Sequence, residues 1–261
     1  VNSLHRLHPE LDAYTVRFED ALLEEIRDSY QRELAPLVDN PRNQYLFEGG
    51  QMRRASLGEA GSYLALSYDT YPLLWLSNND ARTHAMFRRF FEALAIESEL
   101  RELLDCRQRV VFYCGFLVVG DHAPAAQWHS DYASEANAFT LITPLFPLQP
   151  EHGHLLYRHG DTTERYEYAL NEAILFGDKT PHTTEPYPPA AGKRVLVSLT
   201  FGTDKMKYWP RLRESLESQA HYFTLPCGHL YGSCDCVRTP LLGRLARWLQ
   251  QRLAPLETIT E

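Results

Sequence analysis

The sequence has no run of 18 or more apolar residues, so no stretch of it reads as a membrane-spanning helix. It also lacks an excess of basic charge. Lys and Arg number 26 against 34 Asp and Glu, for a formal net charge of −8 and a pI near 5.8. No global positive field is available to attract a phosphate backbone, and a nucleic-acid partner is not expected. Cysteine is scarce and odd in number, five in 261 residues, which does not describe the disulfide framework of a secreted domain. Val1-Asn-Ser-Leu-His-Arg6 shows none of the regions of a signal peptide, and a cytoplasmic location is the expectation. No internal repeat or low-complexity tract is visible. What is present, 44% hydrophobic and 12% aromatic residues, suffices for one well-buried core and one domain.

After a short extended piece around Tyr14 to Phe18, Leu22, Leu23, Ile26, Tyr30 and Leu34 recur at helical spacing. Asp20 is the candidate cap of this helix and Pro36 its expected end. Between Asn40 and Asn79 the glycines at 49, 50, 58 and 61 interrupt any period and predict loops with short strands. Asp80 can cap a second helix carrying Met86, Phe87, Phe90, Phe91 and Leu94, and Ser98 a third ending near Leu104. Residues 1–108 thus read as a mainly helical support and substrate region. From Arg109 the chain changes character. Val110–Val119, Phe139–Phe146, His154–Arg158, Arg165–Ala169, Ala173–Phe176 and Arg194–Phe201 are β-branched or aromatic runs punctuated by turns. They predict a mainly β fold with flanking helices, a double-stranded β-helix or jelly-roll barrel over 109–203. Residues 204–261 form a C-terminal extension: a polar helical segment after Trp209, a cysteine-containing loop and the amphipathic stretch Leu241–Leu253.

His129-Ser130-Asp131 is the stretch with the clearest chemistry. On an extended strand side chains alternate, so a His-x-Asp pair places one imidazole and one carboxylate on the same side. His182 follows 51 residues later, inside a segment that reads as strand, turn and strand. Two His and one carboxylate on one face of an ion form the facial triad of non-haem iron(II) oxygenases. Arg194 follows His182 by 12 residues and opens an apolar strand.

Gln127-Trp-His129-Ser-Asp131-Tyr132, Gly153-His-Leu-Leu-Tyr157, Ile174-Leu-Phe176, His182-x-x-x-Pro186 and Gly192-Lys-Arg194-Val-Leu-Val-Ser198 occur in this order. Over about Val110 to Phe201 the chain resembles the iron(II)/2-oxoglutarate-dependent dioxygenase superfamily, in its prolyl-hydroxylase-like branch. The resemblance implies that His129, Asp131 and His182 hold Fe(II), which binds 2-oxoglutarate and O2. It implies that Arg194 meets the far carboxylate of 2-oxoglutarate, which suits a planar guanidinium fork. Ser198 and Tyr113 are further candidates for contact with the cosubstrate. The activity implied is a hydroxylation of a small-molecule or amino-acid-type substrate, coupled to conversion of 2-oxoglutarate to succinate. Desaturation or ring formation stays open. Asp131 is present where chloride-transferring members carry a small residue, which argues against halogenation.

Other readings compete. Glu151-His152-Gly-His154, with His159 nearby, carries the His-x-His pattern of cupins, and a cupin-like metal or small-ligand binding protein without turnover is the alternative function. Cys227, His229, Cys234 and Cys236 offer four soft ligands to a structural zinc or form an ordinary loop. The stripe Leu241, Leu242, Leu245, Trp248, Leu249 and Leu253, flanked by arginines, fits a helix docked on the core or one lying on a membrane surface. Arg53-Arg54 could meet an anionic substrate or face solvent. A zinc hydrolase finds no general base at His-x-Glu spacing.

Overall fold

The structure, a computed structural model, describes residues 2–48, 52–68, 72–190, 192–231 and 257–258. Strands β1 (His5–Arg6), β2 (Ala13–Arg17), β3 (Arg53–Leu57), β4 (Tyr63–Ser67), β5 (Leu73–Asn78) and β6 (Val110–Val119) precede the His-x-Asp segment. After it come β7 (Ala138–Pro144), β8 (Leu155–His159), β9 (Thr162–Tyr166), β10 (Glu172–Gly177), β11 (His182–Thr184), β12 (Arg194–Thr203) and the short β13 (Glu257–Thr258). The helices are α1 (Glu24–Glu33), α2 (Ala35–Val38), α3 (Ala81–Leu94), α4 (Glu97–Leu103) and α5 (Trp209–Gln219). The major sheet runs β1-β2-β10-β7-β12-β6-β5-β4-β3-β13, and a second sheet runs β11-β8-β9. Isolated bridges Ala123↔Tyr187 and His129↔His182 lay the 123–129 segment along the free side of β11. Sequence-distant strands pair across both sheets, which is the jelly-roll arrangement expected from the run of β segments.

Alternation along β12 explains how one strand serves both layers. All ten of its residues are buried. Val195, Val197, Leu199 and Phe201 join the large core under the helices. Arg194, Leu196, Ser198 and Thr200 face the other way, into a cavity between the sheets. Its neighbour β6 repeats the division: Phe112, Cys114, Phe116 and Val118 belong to the helix-covered core, and Tyr113, Leu117 and Val119 line the cavity. A strand covered on both faces reads as a continuous apolar run, as β6 does. The helices supply the outer layer. Phe87 and Phe91 of α3 and Ile26 and Tyr30 of α1 are buried in the same core.

Several local expectations change. The first helix starts with a 3-10 turn over Asp20–Leu23. Asp20 does not cap it but pairs with Arg27. The helical path continues past Pro36 into α2, because a proline in the first turn of a new helix gives up no intrahelical hydrogen bond. Asp80 does cap α3, its Oδ1 accepting from the Thr83 N–H at 2.7 Å. Ile96, not Ser98, precedes α4. The 53–78 region is richer in strand than its glycines suggest. Gly58 (φ 77°) and Gly61 (φ 72°) make the reversal between β3 and β4, and the three strands continue the major sheet beyond β6. β9 ends at Tyr166 rather than Ala169, since the hairpin already reverses at Gly160 (φ 56°). Cys234, Cys236 and Leu241–Leu253 lie outside the described residues. No described helix is long and apolar enough to cross a membrane.

Candidate active site

A cavity of about 420 Å³ opens between the sheets, lined by the six residues that the resemblance singles out: Tyr113, His129, Asp131, His182, Arg194 and Ser198. His182 begins β11, and the backbone bridge to His129 brings the two imidazoles together, with ring centroids 4.5 Å apart. His129 itself is not in a regular strand, and Asp131 lies in the bend that follows. The chain has to leave the sheet there for the carboxylate to turn toward β7.

Asp131 Oδ1 stands 3.3 Å from His182 Nε2 and 3.5 Å from His129 Nε2. Ligand atoms at right angles around an ion, with bonds of roughly 2.1 Å, would be about 3 Å apart. The three groups could therefore hold a metal ion with little movement. Both imidazoles are oriented from behind. His129 Nδ1 lies 2.7 Å from the Gln127 carbonyl and His182 Nδ1 2.9 Å from that of Thr180. A carbonyl only accepts, so each Nδ1 carries a proton, and each Nε2 is the nitrogen turned toward Asp131 that could bind a metal. Asp131 Oδ2 accepts from Thr140 Oγ1 at 2.6 Å. Thr140 also meets Tyr132, whose hydroxyl reaches Thr200 and the Phe139 carbonyl.

Burial pushes the Asp131 carboxyl up, but His182 and His129 and their hydrogen bonds outweigh it and hold the group well below the usual carboxylate range. Burial pulls His129 down, yet the Asp131 carboxylate beside it leaves that imidazole raised on balance. Tyr68, on the cavity wall, is pushed up to about 12 by burial and by the Asp131 charge. The centre thus sets one ionised carboxylate against two imidazole nitrogens. That environment suits a divalent cation.

Arg194 is 2% exposed. Its Nη1 donates to the Gly153 carbonyl, and its Nη2 to Thr184 Oγ1 at 2.8 Å. Its Nε is buried with no hydrogen-bond partner. Among the described residues it makes no ion pair with a carboxylate. Gly153 is required where it is, because a Cβ there would collide with the Glu185 carbonyl and force apart the strands that hold the guanidinium. The aromatic ring of Tyr168 lies 5.7 Å from the guanidinium carbon. Thr184 is two residues from His182 on the same face of β11, a separation of roughly 7 Å along a strand. A five-carbon diacid spans that interval.

Ser198 lines the same cavity, and the hydroxyl bonded to Arg194 is that of Thr184. Tyr113 pairs with Thr200 across the ladder, and its hydroxyl donates to Gln219 Oε1 at 2.8 Å. Thr140, Thr184 and Gln219 were not apparent from the sequence, since single polar residues on a strand or at a helix end carry no local signature. Trp128 lines the cavity beneath the Arg158 guanidinium, 4.0 Å from its ring centroid. The cupin-type set does not converge. His152 Nδ1 accepts from the Gln149 N–H, His154 Nδ1 from the Tyr168 N–H, and His159 faces the N-terminal segment. Arg54 donates to the Ser218 carbonyl and Arg53 stacks over Tyr45; neither lines the cavity. Cys227 Sγ is 3.7 Å from His229 Nδ1, and the other two members of the suggested zinc set lie beyond the described residues.

No protein-family description matches this chain. No curated protein matches it either. Among solved structures it is similar, at low identity, to several chains. A prolyl-4-hydroxylase of Pseudomonas putida is 15% identical, over 74% of this chain and 94% of that one, with a TM-score of 0.44. EctD from S. alaskensis, in its apo form, is 14% identical over 74% of each chain, with a TM-score of 0.48. HygX from Streptomyces hygroscopicus, with nickel and 2-oxoglutarate bound, is 11% identical over 74% of this chain and 83% of that one, with a TM-score of 0.48.

Proposed function

We propose that this protein is an iron(II)- and 2-oxoglutarate-dependent oxygenase that hydroxylates a C–H bond of a small-molecule or amino-acid-type substrate. The observation that carries the reading is a buried arginine, unpaired by any carboxylate among the described residues, in the same cavity as a convergent His-His-Asp set. A buried cation without a counter-charge is costly, so the site is built to receive an anion. The donor set fits the metal: two neutral imidazoles and one carboxylate leave a divalent ion with a net charge near +1, which favours an anionic chelator.

His129, Asp131 and His182 would hold the ion, with Gln127, Thr180 and Thr140 fixing their orientation. Arg194, backed by Gly153 and Thr184, would bind one carboxylate of 2-oxoglutarate and set its distance from the triad. When bound, the iron supplies the activation of O2 that converts 2-oxoglutarate to succinate and CO2 while one oxygen atom enters the substrate as hydroxyl. Leu196, Ile142 and Leu155 make the wall near the arginine apolar, which excludes water and strengthens the charge pair. Tyr68, Trp75, Leu117 and Gln219 line the remaining volume, which is left for the substrate.

The test is consumption of 2-oxoglutarate by purified protein with iron(II), ascorbate and O2, together with an anaerobic titration followed by the visible absorbance of the iron chelate. A chelate band and succinate formation are expected. Metal binding with neither would establish the cupin-like binding protein instead.

A further inference from the structure

A second group of metal-ligating side chains lies outside the cavity, where the segment after β1 meets the β8–β9 hairpin. One ligand atom from each of His8, His159 and Glu164 falls within 4.8 Å of the others. The two imidazole centroids are 4.0 Å apart. Glu10 adds a second carboxylate, its Oε2 2.8 Å from His159 Nε2. We propose that His8, His159 and Glu164 form a zinc site that staples the N-terminal segment to this hairpin, with Glu10 beside it as the partner of His159.

The surroundings orient these groups as ligands. Nδ1 of His8 accepts the Glu10 N–H at 3.2 Å, so Nε2 of that ring carries the proton before metal binds, and zinc at Nε2 requires the proton to move to Nδ1 and this contact to open. Tyr157 donates its hydroxyl to Glu164 Oε2 at 2.7 Å, fixing the carboxylate and leaving Oε1 to bind. The Tyr157 phenol is pushed up to about 12 by burial and by the Glu164 carboxylate, and so remains a donor. His159 and Glu164 stand on a two-stranded hairpin whose ends are set by the ladder, so two ligands are held before any metal arrives. Two imidazoles and one carboxylate, with water in the fourth position, suit zinc more than the oxygen-loving magnesium or calcium. Tyr157 is also the ladder partner of His182, so the staple braces the sheet that carries the cavity histidine.

Zinc is the probe, and equilibrium dialysis of the full chain is the measurement. The His129→Ala/His182→Ala protein should retain at least one zinc per chain. Adding His8→Ala and His159→Ala should remove one equivalent, whereas Cys234→Ser/Cys236→Ser should leave that equivalent in place. Glu164→Gln keeps the shape and the Tyr157 contact, and it should weaken the same equivalent by roughly tenfold or more. Zinc at a hundredfold excess over Kd should raise the Tm of the triad-deficient protein by roughly 5 °C or more, and this rise should vanish with His8 and His159. Unchanged zinc stoichiometry and an unchanged Tm response in both the His8/His159 and Glu164 variants would overturn the site. So would a triad-deficient protein that binds no zinc.

Discussion

Thr140 Oγ1 lies 2.6 Å from Asp131 Oδ2, and this contact decides which carboxylate oxygen faces the two imidazoles. The hydroxyl takes one oxygen, and Oδ1 is left toward His129 and His182. Thr140 sits on β7 beside β12, so the orientation of the carboxylate depends on the sheet and not on the His-x-Asp segment alone.

Thr140→Val should therefore loosen the site without emptying it. Loss of the hydroxyl frees the carboxylate to rotate, and partners of this kind are typically worth about 10–100-fold in metal affinity. Tyr132 keeps Thr200 and the Phe139 carbonyl as partners, so the fold should survive. An iron(II) titration of the variant beside the parent checks this; equal affinities would mean that Thr140 does not orient the ligand.

Replacing His129, Asp131 or His182 singly by Ala should abolish turnover of 2-oxoglutarate and lower iron stoichiometry, with secondary structure retained. Iron content and far-UV circular dichroism are to be read on the same preparations. Full activity in any one of the three would remove that residue from the ligand set.

Arg194→Ala removes a charge-assisted pair whose loss costs roughly 2–5 kcal/mol when the partner charge stays buried. Apparent affinity for 2-oxoglutarate should fall about 30-fold or more, while iron binding changes little. Arg194→Lys should recover part of the loss, because the charge remains and the fork does not. Thr184→Val tests the backing of the guanidinium and should give a smaller weakening of the same kind. Cosubstrate binding by Arg194→Ala as tight as that of the parent would sink the assignment.

Acid should destabilise the fold through His84. Burial holds its imidazole down at about 4, with Arg88 adding a smaller repulsion, and the ring packs against Phe112 and Tyr222. The unfolded chain takes up this proton near pH 6.5 and the folded chain only near pH 4. Stability from this group is present in full above about pH 6.5, declines as pH falls, and levels off below about pH 4, a change on the order of 3 kcal/mol. Urea midpoints from pH 7 to 4 should show that decline in the parent and a shallower one in His84→Gln. Parallel curves would exclude His84 as the source.

Val110–Val119 and Arg194–Phe201 were legible as strands because a strand covered on both faces is a continuous β-branched and aromatic run, which neighbours in sequence reveal. The same holds for His129, Asp131, His182 and Arg194, whose residue types and order resemble a known metal site, and for Asp80, whose capping contact spans three residues. Asp20 misled because a cap depends on where the first turn begins, and a 3-10 turn shifted that point. The strands over 53–78 were obscured because their hairpin is made by glycines, which locally signal only interruption. Tertiary structure alone decided that Thr140 holds Asp131, that Thr184 meets Arg194, that Tyr113 reaches Gln219, and that His8 meets His159 and Glu164. Each of these is a hydrogen bond or ligand contact between strands and loops brought together by sheet order. No local periodicity encodes which polar side chains will face one another across that order.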